Sequence, residues 1–344
     1  MKIEIVNPLK FNQWDEILLN HPEATIFHSS KWARVLCESY GYEPVYFAVF
    51  EQGALKLLLP FMDINSIFTG RRGVSLPFTD YCRIILPEKD NLPGVIGIIE
   101  GYGKQIGWKY FELRCDRNIS DSFQTSTAFY RHILVLIKGE EALWMGLRGS
   151  TRRNVKKAEK AGITVVMDNS MEALRQFYRL NCLTRKSHGL PPQPFLFFYK
   201  LFEHILSKGF GIVALAYHGE KIVAGNIYLH FGRFAIYKYG ASDKRYQLLR
   251  ANNLLQWEAI RWYANRGFHQ LCLGRTEMEN NGLLQFKRGW GADEKKLFYH
   301  KYDLRETAFV NDTSQVTGFH KKLFSAMSLP LLRLVGRILY RHIG

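Results

Sequence analysis

The feature that most constrains the fold is an order of elements that occurs twice. Residues 45–50 and 55–61 read as strands joined by the turn signal Gln52-Gly53, and a third strand fills 73–86, broken by Pro77. A helical stretch over 92–106 stops at Gly107, and a strand over 109–114 follows. Downstream the series returns, with strands at 212–216, 222–230 and 234–239 linked through Gly219 and Gly232. A helix over 251–266 then stops at Gly267 and leads into a strand ending at Leu273. Residues 107–114 and 267–273 fall at the same place in the two series. Hairpin, third strand, helix and strand, repeated in order, predict a duplicated α/β unit in which each helix covers a sheet face. A chain of 344 residues also exceeds what one core usually supports.

Outside the repeats, Ser29 or Ser30 can cap a helix running from Lys31 and ended by Gly41. Between the repeats, Ser150 can cap and Gly162 can end a helix in which Arg152, Lys156 and Lys160 recur every four residues. Arg153 and Lys157 stand beside them, and Glu159 is the one acid in the stretch. A solvated face would give the same pattern, but repulsion this unbalanced is easier to rationalise where phosphates neutralise it. The whole chain leans the same way, with 47 Lys and Arg against 31 Asp and Glu and a net charge of +16. Nucleic acid, an anionic membrane surface and a phosphorylated substrate all fit that balance. Near the C-terminus, Pro330 can start a helix whose apolar positions Leu331, Leu334, Val335, Ile338 and Leu339 follow helical spacing. Arg333, Arg337 and Arg341 form a stripe at its edge. Packing on a domain and lying on anionic lipid are both consistent with that pattern.

The five cysteines show no paired spacing, which argues against a zinc site or a disulfide framework. No signal-like start and no apolar run near the roughly 20 residues of a bilayer span are present, so the reading is a cytoplasmic protein. Peripheral contact with the inner membrane stays open, as does the oligomeric state.

After the apolar run 270–273, the segment Gly274-Arg275-Thr276-Glu277-Met278-Glu279 and then 282–291 lose hydrophobic periodicity and gain glycines and charges. Irregular polar chain at the end of a buried strand is where α/β proteins commonly keep their sites.

With these segments placed, the chain resembles the FemABX family of peptidyl and aminoacyl transferases within the GNAT superfamily. The resemblance rests on His28-Ser29-Ser30-Lys31-Trp32, on Arg72-Gly73-Val74-Ser75-Leu76-Pro77-Phe78-Thr79-Asp80-Tyr81 and on the basic helix at 152–162. The fourth segment is Gly282-Leu283-Leu284-Gln285-Phe286-Lys287-Arg288-Gly289-Trp290-Gly291. It implies an α/β (α+β) fold of two tandem GNAT-like domains, each a mixed sheet flanked by helices, with a C-terminal helix packing back on the first. The boundaries expected are 1–142, 143–318 and 319–344. It also implies acyl transfer to an amine of a cell-envelope precursor, from peptidoglycan or, on the form of residues 184–192 and 286–291, from exopolysaccharide. The partners implied are an aminoacyl-tRNA donor and a nucleotide-sugar or lipid-linked acceptor, with no tightly bound cofactor. Acyl-CoA is the alternative donor, although residues 244–252 lack the glycine usual in a pyrophosphate-binding loop. A non-catalytic basic protein on the same fold is the alternative of a different class.

Acyl transfer needs a group to accept the amine proton and a charge to meet the tetrahedral oxyanion. Lys287 is expected to supply the charge and Asp80 the carboxylate, facing a cleft between the copies. An exposed lysine and a turn aspartate are the plainer readings of the two. Arg275, Glu277 and Glu279 are expected to position the acceptor, and Lys31, Arg72, Arg152 and Arg153 to meet phosphates. Tyr81 and Trp290 would wall a sugar or nucleobase, with core packing as the alternative.

Overall fold

The computed structural model describes residues 2–86, 92–119, 123–311 and 319–344. The chain begins with β1 (Glu4–Val6), α1 (Trp14–Leu19), α2 (Ser30–Tyr40), β2 (Glu43–Glu51), β3 (Ala54–Ser66) and β4 (Gly70–Ser75). It continues through α3 (Leu92–Ile106), β5 (Tyr110–Cys115), β6 (Thr127–Val135), α4 (Glu140–Gly146), α5 (Gly149–Lys160) and β7 (Ile163–Asp168). Next come α6 (Met171–Ser187), α7 (Phe195–His204), β8 (Gly211–His218), β9 (Lys221–Phe231), β10 (Phe234–Ser242) and α8 (Ala251–Ala264). Last are β11 (Gln270–Glu277), α9 (Asn281–Arg288), β12 (Asp293–Asp303), β13 (Ala308–Val310), α10 (Phe319–Ala326) and α11 (Leu329–Ile343).

These elements form two compact units, neither continuous in sequence. The first comprises 1–129, 296–315 and 338–344, and the second 130–295 and 316–337. The boundary expected after residue 318 lies outside the described residues.

In the first unit, β1 to β4 are antiparallel neighbours, β5 joins β4 in parallel, and β12 closes on β5 antiparallel. The core lies between this sheet and α3, where Phe47, Phe61, Ile99, Phe111 and Leu113 are buried. In the second unit, β7 to β10 are antiparallel neighbours and β11 joins β10 in parallel. Its core sits between that sheet and α5 and α8, with Val155, Ala158, Leu255, Ile260 and Leu271 buried. The repeat read from the sequence is therefore a repeat of topology, and the chain is two tandem units of one mixed α/β plan.

Local chemistry explains the ends of the predicted elements. Ser29 accepts from the Trp32 amide at the start of α2, and Gly41 ends it in the left-handed region with φ 73°. Other expectations are corrected. The third strand stops at Ser75 instead of running to 86, because Pro77 has no N–H for the ladder and Phe78, at φ 59°, leaves the extended region. Ser150 lies inside the first turn of α5, whose cap is Arg148 with no side-chain bond. Residues 281–288, read as irregular, are a helix capped by Asn280, which accepts from the Leu283 amide.

The C-terminal helix differs most from its reading. It packs through Leu332, Gly336 and Tyr340, all buried, while Leu331, Leu334 and Ile338, on the predicted apolar face, are 47%, 52% and 51% exposed. In the second unit Gly336 lies against the Pro192 carbonyl, where a Cβ would overlap. In the first unit the Tyr42 hydroxyl donates to the carbonyls of Tyr340 and Arg341.

Candidate active site

β10 and β11 are in parallel register over three pairs only, Phe234–Gln270, Ala235–Leu271 and Ile236–Cys272. Beyond these, β10 stays with β9 as far as Ser242, its register shifting between Tyr237 and Tyr239, so that Lys238 is the extra residue of a bulge. Such a bulge bends the strand that carries it, and β11 runs on to Glu277 without β10 as a register partner.

Gly274 interrupts β11 at this point with φ 75°. A left-handed residue breaks the alternation by which successive strand carbonyls point to opposite sides. The Nζ of Lys287 donates to both Gly274 O, at 2.9 Å, and Arg275 O, at 3.0 Å. Lys287 is 3% exposed, so α9 places an amino group inside the second unit, on the carbonyls just past the parting of two parallel strands.

Beside it, β6 contributes His132, which is fully buried and has Nε2 2.9 Å from Glu294 Oε2. Burial first, and then the Lys287 cation, push His132 below its ordinary value, against the pull of Glu294. Glu294 is in turn held below the usual carboxylate range by its bonds from Arg288, at 2.7 and 2.8 Å. His132 is thus neutral at pH 7 with Nε2–H donating, and its Nδ1 has no hydrogen-bond partner among the described residues. Thr276 Oγ1, also buried, has none either.

The first turn of α5 is packed against the end of α9. Arg148 N donates to Gly289 O at 3.0 Å, and a Cβ at Gly289 would overlap Thr151 Oγ1. Gly291 has φ 71°, and a Cβ there would lie 2.8 Å from Gly146 O. Only glycine permits these approaches, so the Phe-Lys-Arg-Gly-Trp-Gly segment fixes the start of the basic helix.

The second unit thus brings together Lys287, Arg275 and the α5 arginines. Arg275 is half-buried, Glu277 and Glu279 are exposed on the way out of β11, and Arg152 is half-buried beside an exposed Arg153. Trp290 is 1% exposed and packs edge-on to Phe286, so it is a core side chain rather than a wall for a ligand. The first unit holds the others. Lys31 pairs with Asp15 at 2.6 Å, and Asp80 is half-buried, its carbonyl accepting from the Tyr299 hydroxyl at 2.7 Å. Tyr81, at 1% exposed, is a core residue. Arg72, at 2% exposed, donates to His342 O at 2.8 Å and Gly344 O at 3.3 Å. Its charge is spent on the C-terminal carbonyls, away from any open phosphate surface.

His132 and Glu294 did not emerge from the sequence, because the strands that carry them were not read there. Leu297 and Tyr299, buried on either side of a half-buried Phe298, were the available signal for β12.

Residues 146–288 match the family described as an acetyltransferase (GNAT) domain. The GNAT match takes in α5, the parting of β10 and β11, and Lys287. No curated protein matches the chain in sequence. Among solved structures, a crystal structure of FemX is similar at 13% identity, with a TM-score of 0.68 over 89% of this chain and 98% of that one. A tandem GNAT protein from the clavulanic acid biosynthesis pathway is similar at 8% identity, with a TM-score of 0.57 over 88% and 99%. The C-terminal domain of a putative lysylphosphatidylglycerol synthetase from Agrobacterium fabrum follows at 13% identity, with a TM-score of 0.50 over 78% and 86%. At these identities the likeness is one of fold, and it extends the GNAT plan to both units. Among the described residues no helix is long and apolar enough to cross a membrane.

Proposed function

We propose that the chain transfers an aminoacyl or acyl group to an amine of a cell-envelope precursor, a peptidoglycan or exopolysaccharide intermediate. The observation that carries this reading is the buried Lys287 amino group fixed on Gly274 O and Arg275 O, past the parting of β10 and β11. The amine nitrogen attacks the donor's ester carbonyl, and the carbonyl oxygen takes up negative charge. The C–O bond to the donor then breaks, and the amine proton passes through a carboxylate to the leaving oxygen. A lysine cation held in a low-dielectric interior stabilises that oxyanion without having to reorganise. Arg275, Glu277 and Glu279 position the acceptor, while Arg152 and Arg153 meet donor or acceptor phosphates. The resemblance of the motifs to aminoacyl transferases favours an aminoacyl-tRNA donor.

One observation favours the second reading, an acyl-CoA donor. α8 starts after Arg250, which has φ 61° and gives no side-chain cap, and a short 3-10 helix over Lys244–Leu249 joins it to β10; the positive end of a helix dipole suits a pyrophosphate. Incubation with aminoacylated tRNA and with acetyl-CoA in parallel, with a precursor extract as acceptor, separates the two by the mass added to the product. Lys287→Met is expected to lower the transfer by about 10²–10³-fold in whichever arm is active. No transfer from either donor would overturn both readings in favour of a non-catalytic basic protein.

A further inference from the structure

A second set of cations lies in the second unit, apart from the residues assigned to transfer. Arg175 and Arg179, one turn apart on α6, and Arg333 on α11 line a pocket of about 170 Å³ with Tyr178 and Phe195. The Arg175 guanidinium lies 5.8 Å from the centre of the Phe195 ring, and that of Arg333 lies 5.5 Å from the centre of Tyr178. The two rings are 5.0 Å apart. Tyr178 is fixed by donating to Gln193 O at 3.1 Å, so both arginines rest on an aromatic floor that limits their rotamers.

These three arginines converge on one pocket and bring no acid to it. Arg245, Arg261 and Arg288 of the same unit pair with Asp243, Glu140 and Glu294. No carboxylate among the described residues pairs with Arg175, Arg179 or Arg333. Three guanidinium groups brought to one pocket repel one another until an anion enters, and their planar forks match a tetrahedral oxyanion. The volume is well below the roughly 300–1,000 Å³ that encloses a whole small molecule, so it suits a phosphate group whose remainder lies outside.

The surroundings indicate what that remainder is. Leu331 and Leu334, two residues before and one after Arg333, are 47% and 52% exposed. Leu196, next to Phe195, is 47% exposed. The helix is held in this orientation by Leu332 and Gly336 on its buried side. Leucines set outward next to unpaired arginines are the pattern of a helix lying in the headgroup region of an anionic bilayer, apolar side chains inserted and cations at the phosphates.

We propose that Arg175, Arg179 and Arg333 bind the phosphate of an anionic phospholipid headgroup, with Leu331 and Leu334 entering the adjoining interfacial layer. The site is independent of the acyl-transfer reading and would stand if that reading failed. In a co-sedimentation test, the full chain is spun with vesicles of phosphatidylglycerol and phosphatidylcholine, and with vesicles of phosphatidylcholine alone. The wild type is expected in the pellet with the anionic vesicles only. The R175Q/R179Q/R333Q variant is expected to partition roughly a hundredfold more weakly, at about fivefold per basic residue near an anionic surface. K138Q/K208Q/K221Q, which removes as much charge from exposed positions elsewhere in the unit, is expected to lose severalfold at most. L331S/L334S is expected to weaken binding while every arginine remains. Should the glutamine variant not fold by circular dichroism, R175K/R179K/R333K keeps the charge and removes the fork, and an intermediate loss is expected. Equal losses in the two charge-removing variants would overturn the site in favour of diffuse attraction. So would wild-type partitioning of the arginine variants, or a wild type that stays in the supernatant. Stabilisation by inorganic phosphate through the same three arginines, without vesicle binding, would assign a soluble anion and overturn the lipid.

Discussion

The two parallel strand junctions begin alike and end differently. In the first unit β4 and β5 pair at Gly73–Phe111, Val74–Glu112 and Ser75–Leu113, the same short run as Phe234–Gln270 to Ile236–Cys272 in the second. Beyond it the first junction is closed by its own chain. Cys82 N donates to Arg114 O at 2.7 Å, and Arg114 donates through Nη1 to Leu76 O at 3.1 Å and through Nε to Glu112 Oε1 at 2.6 Å. His28 backs that segment, its Nε2 2.8 Å from Arg83 O. The second junction carries instead a lysine on two carbonyls, with His132 and Glu294 alongside. One backbone plan has become a closed, salt-bridged seam in one copy and a buried cluster of lysine, histidine and glutamate in the other. Pairing geometry alone does not fix what fills the opening, so one backbone plan holds different side chains in its two copies.

The sharpest way to break this comparison is to exchange the roles of the two cations. Lys287→Met is expected to lower single-turnover acyl transfer by about 10²–10³-fold, the usual cost of removing one oxyanion donor. Arg114→Met is expected to leave the rate within a few-fold and act on stability instead. Equal rate losses would show that the junctions do not differ as described.

Next in size is a pH effect belonging to the first junction. Burial holds His28 down to about 4, below its ordinary 6.5, with Nδ1 accepting from the Thr25 amide at 3.0 Å. Because the folded value is depressed, the stability from keeping it neutral is full above pH 6.5. It is lost as pH falls from 6.5 towards about 4, and amounts to up to about 3 kcal/mol. Urea melts of the wild type and of His28→Gln across that window measure it, and parallel pH profiles in the two would refute it.

Gly289→Ala tests the second junction's packing. Its Cβ would overlap Thr151 Oγ1, and a cost of about 1–3 kcal/mol is expected. Adding Thr151→Ala should restore part of the loss in a thermal melt, and additive losses would mean that the clash is not the cause. For the first junction, Arg114→Met is expected to cost about 1–2 kcal/mol in the same assay. The smallest effect is expected on α5, where Lys156→Glu and Lys160→Glu should weaken tRNA or nucleotide-precursor binding severalfold. They should also lower the salt slope by about one per lost phosphate contact; an unchanged slope would remove α5 from the binding surface.

Much of the fold was legible because it depends on local patterns. The Gly107 and Gly267 stops, the Gln52-Gly53 turn and the alternating runs gave the repeated order, and the structure follows it to within a few residues for most elements. The motif segment around Lys287 was legible as a place of interest, yet its helix was missed because glycines and charges obscure a short run whose buried positions are only Leu284 and Lys287. His132 and Glu294 were invisible, since each acquires meaning only from a neighbour on another strand.

By itself, the sequence determined the duplicated α/β plan, the excess of positive charge and the residue types available for acyl transfer. Turn residues, caps and hydrophobic period act over a few positions and can be read where they stand. The tertiary structure decided which charges are spent and which remain usable. It buried Arg72 on the C-terminal carbonyls, set Lys287 past the parting of two strands, and left Leu331 and Leu334 facing outward. Burial and charge compensation depend on groups distant in sequence, and in the case of α11 two faces of one helix were both apolar enough to pack. The face that packs is the one carrying Leu332, Gly336 and Tyr340, with Gly336 close enough to the Pro192 carbonyl that no larger residue would fit.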